Sequence, residues 1–217
     1  VLGIAAVAST AACRVEPGAA VFVGDVRIAE TQVDEVVEDL VDKLTAEAPE
    51  EAQNVVVGGL RDRTVDALTI AELGRQVSAN TGDEPDRDVG DAHADMLTQA
   101  GFPADSRFVE LTREAESYRA MLLAEAEPVS PDDADIEAIV AQLAVVPGQE
   151  LDPQQTASLT TFLREDEQGQ LMSGKRQAMV DYVSEYDVVA NPRYGSSFLT
   201  VELGNNGRPF LTVPISR

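Results

Sequence analysis

The sequence predicts a mainly α-helical fold in which short β-strands from both ends of the chain pair with each other. Through most of the interior of the 217 residues, apolar side chains recur at helical spacing. Short apolar runs bounded by turn residues, which are typical of strands, occur near the two ends. Because strands so far apart can stabilise the fold only by pairing, we expect the first strand to pair with the last.

The first elements are a strand, a turn and a second short apolar run. Residues 19–23 are apolar, Gly24-Asp25 predicts a turn, and residues 26–28 complete a small hairpin or strand. Thr31 is the expected N-cap of the first helix, which ends at Pro49. Acidic residues separate its apolar positions, which predicts a strongly amphipathic helix. The apolar positions are Val33, Val36, Val37, Leu40, Val41 and Leu44.

Six further helices are expected between glycine and proline breaks. The acidic loop 81–88 precedes the third predicted helix, and Pro128–Pro131 forms a linker. The predicted helices cover residues 60–79, 89–100 and 105–126, one from Pro131 to Pro147, a short one that begins at Asp152-Pro153, and a last one over 171–186.

The end of the chain returns to strands. Val188-Val189 begins one strand, and the segment Asn191-Pro-Arg-Tyr-Gly195 predicts a turn. Residues 198–203 and 210–215 flank Gly204-Asn-Asn-Gly207, which is the turn chemistry of a β-hairpin. We therefore expect a C-terminal β-hairpin over residues 196–217.

Cys13 is the only cysteine, and small or apolar uncharged residues precede it. This pattern is typical of an export signal, here residues 1–12 as a partial signal peptide, that ends in a lipobox before a lipid-modified cysteine. The expected mature protein has a lipidated Cys13 and a tether over 13–18, and is anchored to the cell membrane outside the cytoplasm. Two alternatives stay open: secretion after cleavage at Ala6-Val7-Ala8, or burial of residues 1–13 as a first structural element.

Composition limits the class of partner. The chain has 39 acidic and 16 basic residues, a net charge of −23, which argues against nucleic acid and against anionic lipid headgroups as partners. Aromatic residues make up only 5% and tryptophan is absent, so valine, leucine, isoleucine and alanine must build the core. With one cysteine there is no intrachain disulfide to support it.

The two chain ends carry a resemblance. The segment Ala19-Ala-Val-Phe-Val-Gly-Asp-Val-Arg-Ile-Ala-Glu-Thr-Gln-Val33 resembles the opening of the SurA N-terminal domain, and the Asn191–Gly195 turn resembles the ending of lipoprotein members of that family from high-GC Gram-positive bacteria. A lipobox before the first strand fits the same group. The resemblance implies a SurA-like helical domain over residues 19–195, and residues 196–217 have no counterpart in it.

That resemblance implies an ATP-independent, chaperone-like protein that binds unfolded or extended secreted polypeptides. Relatives of the SurA and PrsA type carry a parvulin prolyl isomerase domain, whose insertion point would lie near Pro128–Pro131. The interval up to the last helix is too short for such a domain, and its site usually holds two histidines, whereas this chain has only His93. We expect no enzyme activity. The alternatives are an adaptor for one folded partner and, less favoured, a prolyl isomerase.

The sequence gives little support for a metal site or a catalytic site. On a strand, Asp91, His93 and Asp95 would share a face and could hold a metal, but on the predicted helix they diverge, which favours a solvated surface histidine. The acidic loop lacks EF-hand spacing and is expected to be disordered. We expect no metal, cofactor or catalytic residue.

Two groups of residues allow a second interpretation, as contacts to a bound polypeptide. Arg193, with Tyr194, either contacts clients or, as we prefer, pairs with a carboxylate while Tyr194 packs beneath the last helix. The methionines could provide adaptable contacts to a bound polypeptide. They are Met96, Met121, Met172 and Met179.

Overall fold

The protein is mainly helical with a few short strands, as the sequence predicts. The computed structural model describes residues 16–47, 57–145, 151–191, 198–203 and 209–215. Within these ranges it has seven helices and five strands. In chain order they are β1 (Ala19–Val23), β2 (Val26–Ala29), α1 (Glu30–Glu47), α2 (Val57–Thr81), α3 (Arg87–Gln99), α4 (Arg107–Leu123), α5 (Asp133–Val145), α6 (Pro153–Glu165), α7 (Glu167–Glu185), β3 (Val188–Ala190), β4 (Phe198–Leu203) and β5 (Pro209–Pro214).

Strands from both ends of the chain form one antiparallel sheet of order β2-β1-β3. In the centre of this sheet, Val23 pairs with Val26 on one side and with Val188 on the other. All five residues of β1 are buried. The prediction that strands from both ends of the chain pair is confirmed. The partner of β1 is β3, however, and not the last strand β5, which pairs with β4.

Next to this sheet, hydrogen bonds from Asn191 link the end of β3 to the segment that contains β1. Its Nδ2 donates to the carbonyl oxygen of Ala19 at 2.9 Å and to that of Glu16 at 3.2 Å. Its backbone N–H donates to the carbonyl oxygen of Ala20 at 2.9 Å. Because Asn191 is almost fully buried, these bonds satisfy groups that water could not reach.

The helical body is built around α2, which packs against α1 and α4, while α3 packs against α4. Leu40 of α1 and Ile70 and Leu73 of α2 are fully buried between them. The backbones of α3 and α4 approach closely at Gly90. A Cβ built there would meet the carbonyl oxygen of Arg113 and the hydroxyl of Ser117, so only glycine fits without displacement.

The later helices attach through the linker predicted at residues 128–131. Its N-terminal side lies against α7, where a Cβ on Gly174 would meet the carbonyl oxygen of Glu127. The backbone N–H of Val129 donates to the Gln170 carbonyl oxygen at 2.9 Å. Arg164 Nε of α6 donates to the Pro131 carbonyl oxygen at 3.1 Å. The linker is therefore packed in place between helices, and the two helices predicted after it are α5 and α6.

The starts of the first two helices differ from the prediction. Thr31 is not the N-cap of α1, which begins at Glu30; the Gln32 side chain instead accepts the Ala29 N–H at 2.7 Å. The helix α2 begins at Val57, three residues before the predicted start at residue 60, so Gly59 lies inside it.

The acidic loop is shorter than predicted and well defined, so its expected disorder was wrong. Helix α2 continues to Thr81, and Asp86 caps α3 by accepting the Val89 N–H at 3.2 Å. The Ser78 hydroxyl donates to the Asp83 carbonyl oxygen at 2.7 Å. Only residues 82–86 remain between the two helices.

Side-chain caps also set the starts of two later helices. Ser106 caps α4 and accepts the Val109 N–H at 3.3 Å, so the helix begins at Arg107, two residues after the predicted start at residue 105. Asp166 caps α7 and so starts it at Glu167, before the predicted Leu171.

The predicted β4–β5 hairpin is present and forms part of the core. Leu199 pairs with Val213, and Thr200 pairs with Thr212. Its apolar side chains pack against α2, α5 and α7. Several predicted features lie outside the described residues: Cys13 and the signal segment, Pro49, the helix stop at Pro147-Gly148, Arg193 and Tyr194, and the turn at Gly204–Gly207.

Candidate functional site

A buried ion pair joins the two central helices. Asp66 of α2 and Arg119 of α4 lie with Oδ2 and Nη2 3.0 Å apart, and their side chains are 15% and 10% exposed. Neither residue was predicted from the sequence as part of a site. A signal was present, since Asp66 lies four residues before the buried Ile70 and Arg119 four residues after the buried Ala115. A charge on the apolar face of a helix needs a partner, which makes such positions informative.

Glu116 and His93 extend this pair to α3. The Glu116 carboxylate also pairs with Arg119, one turn along the same helix. Its second oxygen lies 3.9 Å from His93 Nε2, and His93 Nδ1 lies 3.0 Å from the Val89 carbonyl oxygen. His93 is on a helix, as predicted, and its side chain is 33% exposed, so it lies partly in solvent and partly against Glu116. Its neighbour Asp91 pairs instead with Arg113 at 3.0 Å.

Asp66 also holds the β4–β5 hairpin. Its Oδ1 accepts the backbone N–H of Thr200 in β4 at 3.0 Å. Thr200 is 9% exposed, so water could not readily replace this acceptor. One carboxylate thus bonds a cation on α4 and the main chain of a strand. The peptide N–H makes this bond, and a hydrogen bond from the Thr200 side chain also lowers the pKa of Asp66.

The charges of this site do not balance. Two carboxylates, Asp66 and Glu116, share the single guanidinium of Arg119. Burial raises the pKa of Asp66; Arg119 and the Thr200 N–H lower it, while the Glu116 charge raises it further. Arg119 Nε is buried and has no hydrogen-bond partner among the described residues. Asp66 therefore accepts a strand N–H in a structural role. The site as a whole carries more negative than positive charge.

The hairpin packs into an apolar groove next to Asp66, which we call the seat. Alternate side chains of each strand point into it, because successive residues of a strand face opposite sides. All are less than 5% exposed. They are Leu199 and Val201 from β4, Leu211 and Val213 from β5, and Ile215 directly after β5. The seat is formed by α2, α5 and α7, and it holds a length of extended chain.

Two open clefts lie elsewhere on the described surface. One, of about 460 Å³, lies between α3 and α4 and is lined largely by charged side chains, including the Asp91–Arg113 ion pair. The other, of about 610 Å³, runs along α6 to the start of α7, with Phe162 as its large apolar side chain. The seat beneath the hairpin, by contrast, is lined by core residues.

Exposed apolar side chains are scattered over the described surface. Val26, Met96 and Val129 are each between 41% and 59% exposed, and they lie on β2, on α3 and in the linker. Of the four methionines, Met96 is exposed, while Met172 and Met179 are buried and Met121 is partly buried. The interpretation of methionines as adaptable surface contacts therefore fits Met96 alone.

Two other kinds of feature are absent from the described residues. No group of three or more histidine, cysteine, aspartate and glutamate side chains in these ranges is arranged to hold a metal ion. Among the described helices, none combines the length and apolar character needed to cross a membrane. Comparisons of the chain with protein families, with curated proteins and with solved structures gave no match.

Proposed function

We propose that this protein is a chaperone-like binding protein that holds unfolded or extended polypeptides without ATP. The observation that carries the proposal is the way the helical body holds extended chain of its own. It buries alternate apolar side chains of β4 and β5, and Asp66 accepts a main-chain N–H. Apolar burial together with main-chain hydrogen bonds is the chemistry by which proteins bind extended segments of varied sequence.

The topology supports the same proposal through the resemblance. A SurA-like domain is expected to open with a strand, a Gly-Asp turn and a helix, and here β1, Gly24-Asp25 and α1 follow in that order. The strand β3, which follows the last helix, pairs with β1. Two helices, α5 and α6, occupy the interval in which relatives would carry a parvulin domain. We therefore propose a SurA-like protein without isomerase or other enzyme activity.

The proposed location follows from the sequence. Lipid on Cys13 would anchor the domain to the outer face of the cell membrane, and polypeptides emerging there would be its clients. The net charge of −23 would repel acidic clients and tolerate neutral or basic ones. Binding would use no cofactor and no metal.

Equilibrium binding to permanently unfolded proteins tests this proposal. Two unrelated proteins, one neutral and one basic, are kept unfolded by reduction and carboxymethylation and labelled with a fluorophore. We expect anisotropy titrations to show weak binding of both, unchanged by ATP, and no binding of the same proteins in their folded form. Absence of binding to either unfolded protein would contradict the proposal. Selective binding of one folded protein would support the adaptor alternative in its place.

A further inference from the structure

The β4–β5 hairpin has the chemistry of a bound extended segment. Its contacts with the helices include apolar side chains at alternate positions and the N–H and side chain of Thr200, which bond to Asp66. The helical body would offer these contacts equally to another strand with the same alternation of apolar residues, since the main-chain bond does not depend on sequence.

The β2-β1-β3 sheet and helices α1 to α4 are connected without this hairpin. Helix α5, by contrast, packs mainly on β5, and the Arg164–Asp133 and Arg176–Asp135 ion pairs also join it to α6 and α7. The β2-β1-β3 sheet forms without it, and one backbone bond joins the two sheets in the described residues, from the Ala190 N–H to the Ile215 carbonyl oxygen at 2.8 Å. The packing of α3 on α4 does not involve the hairpin, and α2 and α4 pack directly against each other, with Asp66 and Arg119 joining them next to β4. A two-stranded hairpin is at best marginally stable alone, so its seat on the helices is what stabilises it.

Asp66 is the polar contact that fixes the hairpin in this seat. It lies among buried apolar residues of α2 and faces Arg119 and Glu116 of α4 and the main chain of β4. If the hairpin left, the carboxylate would keep its ion pair with Arg119 and present a free acceptor to an incoming strand. The seat would therefore remain chemically complete without the hairpin.

We propose that the cleft between α2, α5 and α7 is the client-binding groove, and that the β4–β5 hairpin occupies it as a displaceable, built-in competitor. The client class is an extended segment with apolar residues at alternate positions and free main-chain N–H groups. This inference rests on the proposed function and adds the site and its regulation. A client would bind only when the hairpin opens, which limits binding in the absence of unfolded chains.

Native-state hydrogen exchange of the full chain tests whether the hairpin opens by itself. We expect the amides of β4 and β5 to exchange through an opening that leaves α2 and α4 protected, at least about a hundredfold faster than the slowest amides of those helices. Exchange of the hairpin at the rate of α2 and α4 would overturn the proposal, because the hairpin would then open only when the whole domain unfolds.

Two matched variants test the role of Asp66 as the contact that holds the hairpin. Asp66→Ala removes the acceptor, and we expect hairpin exchange to rise by at least about tenfold. Asp66→Asn removes the charge but keeps an acceptor oxygen, and its hairpin exchange should stay close to that of the wild type. The same change in both variants would overturn the acceptor role. The exchange of the wild-type protein decides the main question even if Asp66→Ala fails to fold.

A synthetic peptide with the sequence of residues 196–217 serves as the competing strand. We expect Thr200→Pro, which removes the N–H that the hairpin donates and leaves the Asp66 acceptor intact, to bind this peptide at least about tenfold more tightly than the wild type. Equal binding of the peptide by the two proteins would overturn the proposal. Hairpin opening that leads only to dimers by exchange between copies would also overturn it. If Thr200→Pro and the wild type bind unfolded proteins equally, this groove alone is refuted, whereas no binding by either protein would refute the proposed function.

Discussion

Replacing Arg119 with methionine is expected to lower the free energy of unfolding by about 3–5 kcal/mol at pH 7, because it leaves buried carboxylates without their cation. Asp66 and Glu116 are 15% and 13% exposed and would then face each other with no positive charge on α4 between them. Methionine fills much of the same volume, so the loss reports the charge rather than a cavity. Urea unfolding followed by circular dichroism measures it.

The pH dependence of this variant separates charge from packing. Burial already raises the pKa of Asp66 above its ordinary value of 3.8, and loss of Arg119 would raise it further. A carboxyl whose pKa is higher in the folded than in the unfolded state binds its proton more tightly when folded, so stability rises as the pH falls through that interval. The deficit of Arg119→Met relative to the wild type should therefore shrink between pH 7 and pH 5. A deficit that is constant with pH would contradict this explanation.

An exposed arginine on the same helix provides the control. Arg107 pairs with Glu35 at 3.1 Å, but these side chains are 57% and 65% exposed. Because exposed ion pairs contribute little, Arg107→Met should change the free energy of unfolding by no more than about 1 kcal/mol. A loss as large as that of Arg119→Met would show that burial does not govern the effect.

The second large effect is expected at Gly90, where α3 crosses α4. Gly90→Ala places a methyl group against the Arg113 carbonyl oxygen and the Ser117 hydroxyl. Since a backbone carbonyl cannot turn aside as a flexible side chain can, the two helices must separate. We expect a loss of about 1–3 kcal/mol, measured as a lower midpoint in thermal unfolding.

Gly59→Ala is the matched control for this substitution. Gly59 also lies in a helix, α2, and a Cβ there would meet nothing within 4 Å. The change should leave stability unaltered or raise it by up to about 1 kcal/mol, because alanine favours the helix. A midpoint for Gly90→Ala at or above that of the wild type would contradict the close approach of α3 and α4.

Much of the fold could be predicted from local sequence patterns. Apolar spacing predicted the α1 core positions Val33, Val36, Val37, Leu40 and Leu44, all of which are buried. Glycine and asparagine turns predicted the strands at both ends and the C-terminal hairpin, all of which the structure contains. Helix starts were less predictable, since they depend on which nearby side chain reaches a free N–H. At α1 that side chain is Gln32 and not Thr31.

The candidate site was not predictable in the same way. Asp66, Arg119 and Thr200 come from distant parts of the chain, and their contacts depend on how α2, α4 and β4 pack. Asp66 and Arg119 lie on apolar helix faces, which marks each of them as unusual. These positions do not show that the two residues contact each other. His93 shows the same limit: helical spacing placed it on α3, while its burial depends on Glu116 of another helix.

Suppression of aggregation tests the central claim, that the protein holds unfolded polypeptides, most directly. The unlipidated chain, residues 14–217, is mixed at increasing molar ratio with two unrelated denatured proteins as each is diluted from denaturant, and light scattering is followed without ATP. We predict that scattering of both substrates falls in proportion to the amount of protein added and is suppressed near stoichiometric ratio. No reduction for either substrate at several-fold molar excess would contradict the claim.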